Sequence, residues 1–303
     1  MIRTKSGAAA LSIASNATLI AIKLAAGAIT GSIAIITEAI HSLIDLVASV
    51  VAFVSVRKAD EPADAEHPYG HEKVENVAAT IEGMLILVGA GIIVFEATHR
   101  LVVGAVVDSL GVGIAVMAFS VVANLGVSTV LSRQAKAHES AALEGDAAHL
   151  RTDALTSAGV LFGLVLVEIT GDAAFDAITA LVVAAAIVVA GIRIIRRSTA
   201  VLVDEALPDA EMDRIEEAIA GARTEEVAGY HKLRARRAGN RRHIDFHVQY
   251  RAGTSLERAH ELAHRMRGSI EAEIPQAEVL IHVEPETSFR HPDEGGDGPY
   301  RSG

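Results

Sequence analysis

Six long apolar segments occupy the first two thirds of the chain. Segments of roughly 20 residues or more cross a hydrocarbon core of about 30 Å as α-helices, so the pattern predicts six transmembrane helices. The fifth is predicted to begin near Ser140, with its polar first half lining a cavity rather than lipid. The six spans are expected near residues 8–30, 33–56, 76–99, 107–132, 143–170 and 173–196.

The pattern changes after Arg197, where long apolar runs give way to short amphipathic segments. Apolar spacing predicts helices near 209–219 and 256–270, and alternation predicts strands near 230–237, 243–250 and 279–283. The order helix, strand, strand, helix, strand indicates a small two-layer α+β domain. The predicted organisation is a membrane all-α six-helix transmembrane domain over 1–200, a cytoplasmic α+β domain over 205–288 and a disordered tail over 289–303.

Basic residues predict the orientation of the spans. If the amino terminus is cytoplasmic, ten lysines and arginines flank the inner ends of the spans, and Arg100 alone lies in an outer loop. Such a bias is typical of cytoplasmic loops. We therefore predict an integral protein of the lipid bilayer, in the cell (inner) membrane, with both termini in the cytoplasm.

Composition narrows the function classes. The formal net charge of -11 argues against a nucleic-acid partner, and half of the residues are hydrophobic. Cysteine is absent, which excludes disulfides and thiolate metal sites. The chain has no nucleophile elbow and no Gly-rich phosphate loop, and we expect no organic cofactor and no enzyme activity.

Two histidine–aspartate pairs lie in segments that otherwise resemble membrane helices: His41 with Asp45, and His149 with Asp153. The offset of four places both members of a pair on one helix face, about 6 Å apart along the axis. Ionisable groups in hydrocarbon cost roughly 2.5–3.5 kcal/mol each, so such pairs indicate a functional pathway. Two facing helices would offer two imidazoles and two carboxylates, a set that Zn²⁺ accepts in tetrahedral geometry. The sequence therefore predicts an intramembrane metal site.

Histidines also cluster after residue 204, where seven of the thirteen lie, six of them in the predicted cytoplasmic domain. His247 lies on the polar face of one strand, and His282 and Glu284 share a face of another. His260 and His264 share a helix face. These residues either converge on a metal ion or are solvated surface histidines, and their pattern leaves both interpretations open.

Two competing function classes fit some of these features. An integral membrane metallohydrolase would also use histidine and carboxylate ligands. A catalytic zinc, however, usually keeps three protein ligands and one open position, whereas four closing ligands suit a carried ion. A metal-sensing membrane scaffold would keep the cytoplasmic histidines without needing the pairs within the membrane.

Four separated motifs, taken in order, resemble the cation diffusion facilitator family of divalent metal transporters, zinc-type. They are the two intramembrane pairs, the loop Asp64-Ala-Glu-His67-Pro-Tyr-Gly-His71-Glu-Lys, and the late segment Leu280-Ile-His282-Val-Glu284-Pro. The resemblance covers about residues 8–286. It implies a homodimer of six-helix protomers, each followed by a ferredoxin-like cytoplasmic domain, that exports divalent metal from the cytoplasm in exchange for protons.

The resemblance also implies three ligand sets. The transport site would consist of His41, Asp45, His149 and Asp153, and the loop site of Asp64, His67 and His71. A cytoplasmic site, bridging or regulating the dimer with bound Zn²⁺, would consist of His231, His247, His260, His282 and Glu284. Glu284 departs from the aspartate expected there, which leaves open whether that site holds one ion or two.

Metal identity follows partly from the ligands. Two imidazoles and two carboxylates suit zinc, and iron, cobalt and cadmium exporters of the same family remain alternatives. Manganese-selective members usually replace the transport-site histidines, so their retention favours zinc. Because imidazole must be neutral and carboxylate ionised to bind metal, protons are the expected counter-ion.

Overall fold

The computed structural model describes residues 4–30, 33–103, 111–171 and 174–287, and within some helices it leaves individual side chains undescribed. By its internal contacts the chain divides into two compact units, Met1–Ala200 and Val201–Gly303. The predicted tail over 289–303 lies outside the described residues.

The first unit consists of long helices, as the apolar pattern predicted. Among the described residues they are α1 (Lys5–Thr30), α2 (Ile33–Ala59), α3 (Val74–Val103), α4 (Gly111–His138), α5 (Ala141–Thr170) and α6 (Ala174–Leu202). Within the described ranges, four of them contain stretches apolar and long enough to cross a membrane: Lys5–Ala26, Val74–His99, Ala141–Val167 and Ala177–Leu202. The predicted helical transmembrane domain is confirmed, and its six long helices lie near the predicted spans.

Large apolar side chains cover the outer faces of these helices. Val88 and Phe95 of α3, Val122 of α4, Phe162 of α5 and Val182 of α6 are all more than half exposed in the isolated chain. In water such a surface would be unfavourable, but lipid tails are as apolar as these side chains. The exposed apolar surface is therefore the lipid-facing surface of the protein.

Interior contacts between the helices involve mainly small residues. Alanines from α1, α2, α3, α4 and α5 form most of one buried cluster, completed by Val56, Leu131, Leu143 and Leu150. Helix α3 approaches α6 most closely at Gly83, where an added Cβ would lie 2.6 Å from Cγ1 of Ile195. Small residues allow the close backbone approach on which helix association in a bilayer depends.

Helix α5 begins at the predicted position, with Ser140 as its N-cap. The Ser140 hydroxyl accepts a hydrogen bond from the backbone N–H of Leu143 and donates one to Glu75 of α3. The other oxygen of Glu75 lies 2.9 Å from Nζ of Lys5, whose ammonium also lies 2.6 Å from a carboxylate oxygen of Asp60. These contacts connect α1, α3 and the start of α5, and thus fix the level at which the long fifth helix starts.

The second unit is the predicted α+β domain. Its elements are α7 (Asp209–Ala222), β1 (Val227–Ala238), β2 (Arg241–Tyr250), α8 (Leu256–Glu273) and β3 (Ala277–Pro285). The sheet order is β1-β2-β3, with β1 antiparallel and β3 parallel to β2. The apolar side of β2, including the fully buried Phe246, packs in one core with residues of α7 and α8. The order of elements was predicted correctly.

Two details of this unit differ from the sequence pattern. Strand β1 starts earlier than predicted and contains a register shift between His231 and Arg234, where Lys232 has a φ of +55°. His243 is four residues before His247 on β2 and by alternation shares its polar face, yet it is 8% exposed and its Nδ1 lies 3.4 Å from Oε2 of Glu278. The alternation of side chains along a strand predicts on which face a residue lies, but its exposure to water depends on the neighbouring side chains.

The close approach of α3 and α6 gives a first prediction. Gly83→Val should destabilise the protein by about 1–3 kcal/mol, because the new side chain would overlap Ile195. Gly89→Val is the matched control on the same helix, since an added Cβ there meets nothing within 4 Å. Thermal unfolding of the purified protein in detergent measures both variants, and equal melting temperatures would contradict this packing.

Candidate metal sites

A buried cluster of ionisable side chains lies inside the first unit. Nε2 of His149 lies 3.2 Å from Oδ1 of Asp45 and 3.8 Å from Oδ2 of Asp153. One ligand atom from each residue lies within 4.8 Å of the others. Asp45 comes from α2, and the other two come from α5. The structure thus brings together three of the four predicted transport-site residues, while the side chain of the fourth, His41, lies outside the described part.

The cluster is formed by helix geometry and by contact between two helices. His149 and Asp153 share one face of α5 because they are four residues apart. Asp45 and His149 are 7% and 6% exposed, whereas the side chain of Asp153 is 20% exposed, so two of the three residues are buried within the unit and the third is half-buried. An imidazole beside two carboxylates in such surroundings offers the nitrogen and oxygen ligands that borderline divalent metals accept.

A buried hydrogen-bond network supports the cluster from the side of α1. The Ser49 hydroxyl accepts a hydrogen bond from the Asn16 amide at 2.9 Å and contacts the Ser12 hydroxyl at the same distance. Both serine hydroxyls donate to Oδ1 of Asp146 at 3.1 Å. Asn16 also donates to the backbone carbonyl of Asp45 at 3.4 Å. The network therefore connects α1, α2 and α5 one turn away from the predicted metal ligands.

Two buried carboxylates near the cluster were not predicted as functional. Glu82 of α3 and Asp146 of α5 are both fully buried. Oε2 of Glu82 lies 3.9 Å from Nδ1 of His149. The signal was present in the sequence, because an acidic residue within an apolar segment indicates a functional position. Only the fold, however, shows that Glu82 lies beside His149.

The loop between α2 and α3 brings together its three predicted ligands. Nε2 of His71 lies 3.3 Å from Oδ2 of Asp64 and 3.1 Å from Nδ1 of His67. The loop folds back because the Asp64 side chain accepts backbone hydrogen bonds from Glu66 and His67. The hydrogen bond from the His67 backbone N–H is the largest of several contacts that hold the pKa of Asp64 below its ordinary value. Asp64 therefore keeps the ionised form that a metal ion would require.

The second unit has a third cluster on the polar side of its sheet. His231 pairs with His247 across β1 and β2, and His247 pairs with His282 across β2 and β3. Oε1 of Glu284 lies 2.6 Å from Nδ1 of His247, and its Oε2 lies 3.0 Å from Nε2 of His231. The strand register alone thus aligns three imidazoles around one carboxylate.

The predicted members of this third cluster are not equally close. His231, His247 and Glu284 form the tight group, and His282 is 63% exposed in its side chain with Nε2 3.5 Å from Glu284. His260 lies on α8, with its ring 4.5 Å from that of His264. It is not among the three residues whose ligand atoms lie within 4.8 Å of one another. Its membership in this cluster stays a prediction.

Comparisons with known proteins agree with the two-unit organisation. Residues 9–203 match the family model for the cation efflux transmembrane domain, and residues 207–286 match that for the cation efflux protein, cytoplasmic domain. An uncharacterized transporter, sll1263, of Synechocystis sp. is 34% identical over 94% of this chain and 93% of its own length. The cation-efflux pump FieF of Shewanella oneidensis is 31% identical over 90% of this chain and 92% of its own.

One solved structure also matches part of the chain. It is a structure of CzrB in its zinc form, whose title calls CzrB a putative zinc transporter, and its chain is 36% identical to this one. The match covers 29% of this chain and 99% of that one, with a TM-score of 0.25.

The buried network beside the membrane cluster gives a second prediction. Ser49→Ala should destabilise the protein by about 1–3 kcal/mol, because it removes partners of Asn16 and Asp146 that have no access to water. Ser55→Ala is the control on the same helix, since that buried hydroxyl donates to the carbonyl of Ala52 in its own helix. Thermal unfolding in detergent compares the two, and a loss no larger for Ser49→Ala would contradict a network that joins helices.

Proposed function

This chain belongs to the cation diffusion facilitator family of cation efflux transporters, and from that membership we propose that it exports Zn²⁺ from the cytoplasm in exchange for protons. The observation that carries the proposal is the buried cluster of Asp45, His149 and Asp153, whose ligand atoms lie within 4.8 Å of one another. In an integral membrane protein, such a cluster among apolar helices would bind a divalent ion on its way across the membrane. Family membership also favours a transporter over the metallohydrolase and the scaffold considered above.

Zinc is the proposed cargo because of the chemistry of the ligands. With His41, which is four residues before Asp45 on α2, the site would offer two imidazoles and two carboxylates. Such a set suits tetrahedral Zn²⁺, which has no geometric preference from its d electrons. Iron, cobalt and cadmium accept the same ligand types, so they are the alternative cargoes, and competition with zinc in transport assays separates them.

Proton exchange follows from the requirement that the ligands be deprotonated. Binding of the ion at His149 displaces protons from the site, and protons arriving from the opposite face favour its release. Nε2 of His149 lies within 4 Å of a carboxylate oxygen of Asp45 and of one of Asp153, so an ion bound there would compete with protons for the same group of atoms. A proton gradient directed inward would therefore drive the metal outward.

The cytoplasmic site is proposed to regulate rather than carry the ion. From residue 198 onward acidic residues outnumber basic ones, 20 to 14, so two such domains repel one another. Zn²⁺ bound at His231, His247, His282 and Glu284, with His260 as a further candidate, would reduce that repulsion and stabilise a homodimer.

Both termini are proposed to lie in the cytoplasm and the protein in the inner membrane, as the basic flanks of the spans indicate.

Transport by the membrane cluster is tested in sealed proteoliposomes. Asp45→Ala and Asp153→Ala should each reduce zinc flux to the level of protein-free vesicles, because each removes an anionic ligand from a buried site. Glu144→Gln is the control on α5, since that carboxylate is exposed and pairs with Arg197. Imposing a pH gradient should drive zinc against it, and collapsing the gradient should slow accumulation. Full flux in both aspartate variants would refute the site, and flux indifferent to pH would refute antiport.

Regulation is tested separately on the whole transporter. The double variant His247→Ala with His282→Ala should need more zinc for half-maximal flux but reach the same maximal flux, because the membrane cluster is intact. The control is Glu271→Ala on α8, whose carboxylate pairs with Arg267 at the surface. Normal flux of the double variant at every zinc concentration would leave these residues as solvated surface histidines.

A further inference from the structure

Glu82 is a buried carboxylate for which the transport cycle above has no use. It is 0% exposed, and neither of its oxygens has a hydrogen-bond partner among the described residues. Nδ1 of His149 is buried and also lacks a hydrogen-bond partner there. The distance between Oε2 of Glu82 and this nitrogen is 3.9 Å. The unsatisfied acceptor and the unsatisfied ring nitrogen thus face each other, at a distance somewhat longer than a hydrogen bond.

The two ring nitrogens of His149 have different neighbours. Nε2 points to Asp45 and Asp153, at 3.2 and 3.8 Å, whereas Nδ1 points to Glu82. A metal-bound imidazole uses one nitrogen for the ion and usually donates its other N–H to a carboxylate or carbonyl, which fixes the tautomer and the ring orientation. Glu82 occupies the position of that acceptor.

The backbone of α5 leaves room for this carboxylate. Gly145 lies one helical turn before His149, and a Cβ added to it would come within 3.2 Å of Cβ and Cγ of Glu82. The same Cβ would lie 3.2 Å from Cα of Ala79 on α3. Contacts this short require the neighbouring atoms to move. The absence of a side chain at Gly145 therefore allows Glu82 to lie against α5 beside the imidazole.

We propose that Glu82 is a positioning residue for the transport site: it accepts the Nδ1 hydrogen of His149 and thereby holds Nε2 toward the ion between Asp45 and Asp153. The inference rests on the proposed function and extends it to a group outside the ligand set. An unpaired carboxylate in an apolar interior is unfavourable for folding. Its presence at a position that faces Nδ1 is explained by what it does for the imidazole.

The test distinguishes three possible roles of Glu82: a hydrogen-bond acceptor, a negative charge and a packing residue. Glu82→Gln keeps a carbonyl oxygen that accepts the Nδ1 hydrogen, whereas Glu82→Leu has a similar volume and no acceptor. In proteoliposomes, Glu82→Leu should raise the zinc concentration for half-maximal flux roughly 10- to 100-fold, the range for loss of a carboxylate that orients a ligand histidine. Glu82→Gln should restore most of this affinity.

A stability measurement accompanies the flux. Glu82→Leu should melt at or above the temperature of the wild type in metal-free detergent, because it replaces a buried unsatisfied polar group with an apolar one. A residue that serves only packing would behave in the opposite way, losing stability together with flux.

Gly145→Ala probes the same geometry without changing Glu82. It should weaken zinc affinity in the wild-type background, because the new methyl group displaces the carboxylate, and it should add little to Glu82→Leu. Gly126→Ala on α4 is the control, since an added Cβ there meets nothing within 4 Å.

Each outcome distinguishes this inference from the proposed function. No zinc flux in the wild type would refute the function. Wild-type flux, lost in Asp45→Ala and unchanged in Glu82→Leu, would refute only the role of Glu82. Equal losses in Glu82→Gln and Glu82→Leu would also overturn it, because the negative charge rather than the acceptor would then be needed.

Discussion

The structure of the membrane unit depends on burying carboxylates and an imidazole among apolar helices. Asp45, Glu82, Asp146 and His149 are each less than 9% exposed. Any one of them alone in such an interior would be strongly unfavourable, because charged groups lose their hydration there. Grouping makes them tolerable, because Asp45 and Glu82 lie beside the imidazole of His149 and two serine hydroxyls donate hydrogen bonds to Asp146. The helices must therefore be held at fixed positions, since a small displacement would separate the partners.

Close packing of small residues and a few polar contacts hold the helices in position. Gly83 and Gly145 bring α3 against α6 and α5, and Ser49 connects α2 to both α1 and α5. At the start of α5, the contact between Ser140 and Glu75 fixes the helix that carries His149 and Asp153. Packing of this kind allows discrete rearrangements rather than continuous deformation, which suits a carrier that must expose one site to two faces in turn.

The three clusters differ in their exposure to water. For the membrane and sheet clusters, this difference agrees with the carrying and regulatory roles proposed for them. In the membrane cluster Asp45 and His149 are buried and Asp153 is half-buried, the loop cluster combines a buried His71 with an exposed Asp64, and the sheet cluster is half-buried throughout. Ligands in water exchange an ion easily, whereas buried ligands release it only after a change in protonation or in conformation. A carrying site benefits from the second behaviour, and a site that senses cytoplasmic metal benefits from the first.

The sequence by itself determined the features that depend on local periodicity: six apolar helices, the start of α5 at Ser140, the strand and helix order of the second unit, and the pairing of His149 with Asp153 on one face. The tertiary structure alone decided which residues meet across elements. The register of three strands aligned His231, His247 and His282, while His260 remained beside His264 on α8. Helix packing brought Glu82 to the far side of His149. Spacing within one helix or strand is fixed by backbone geometry, but distances between elements depend on packing of side chains far apart in the chain.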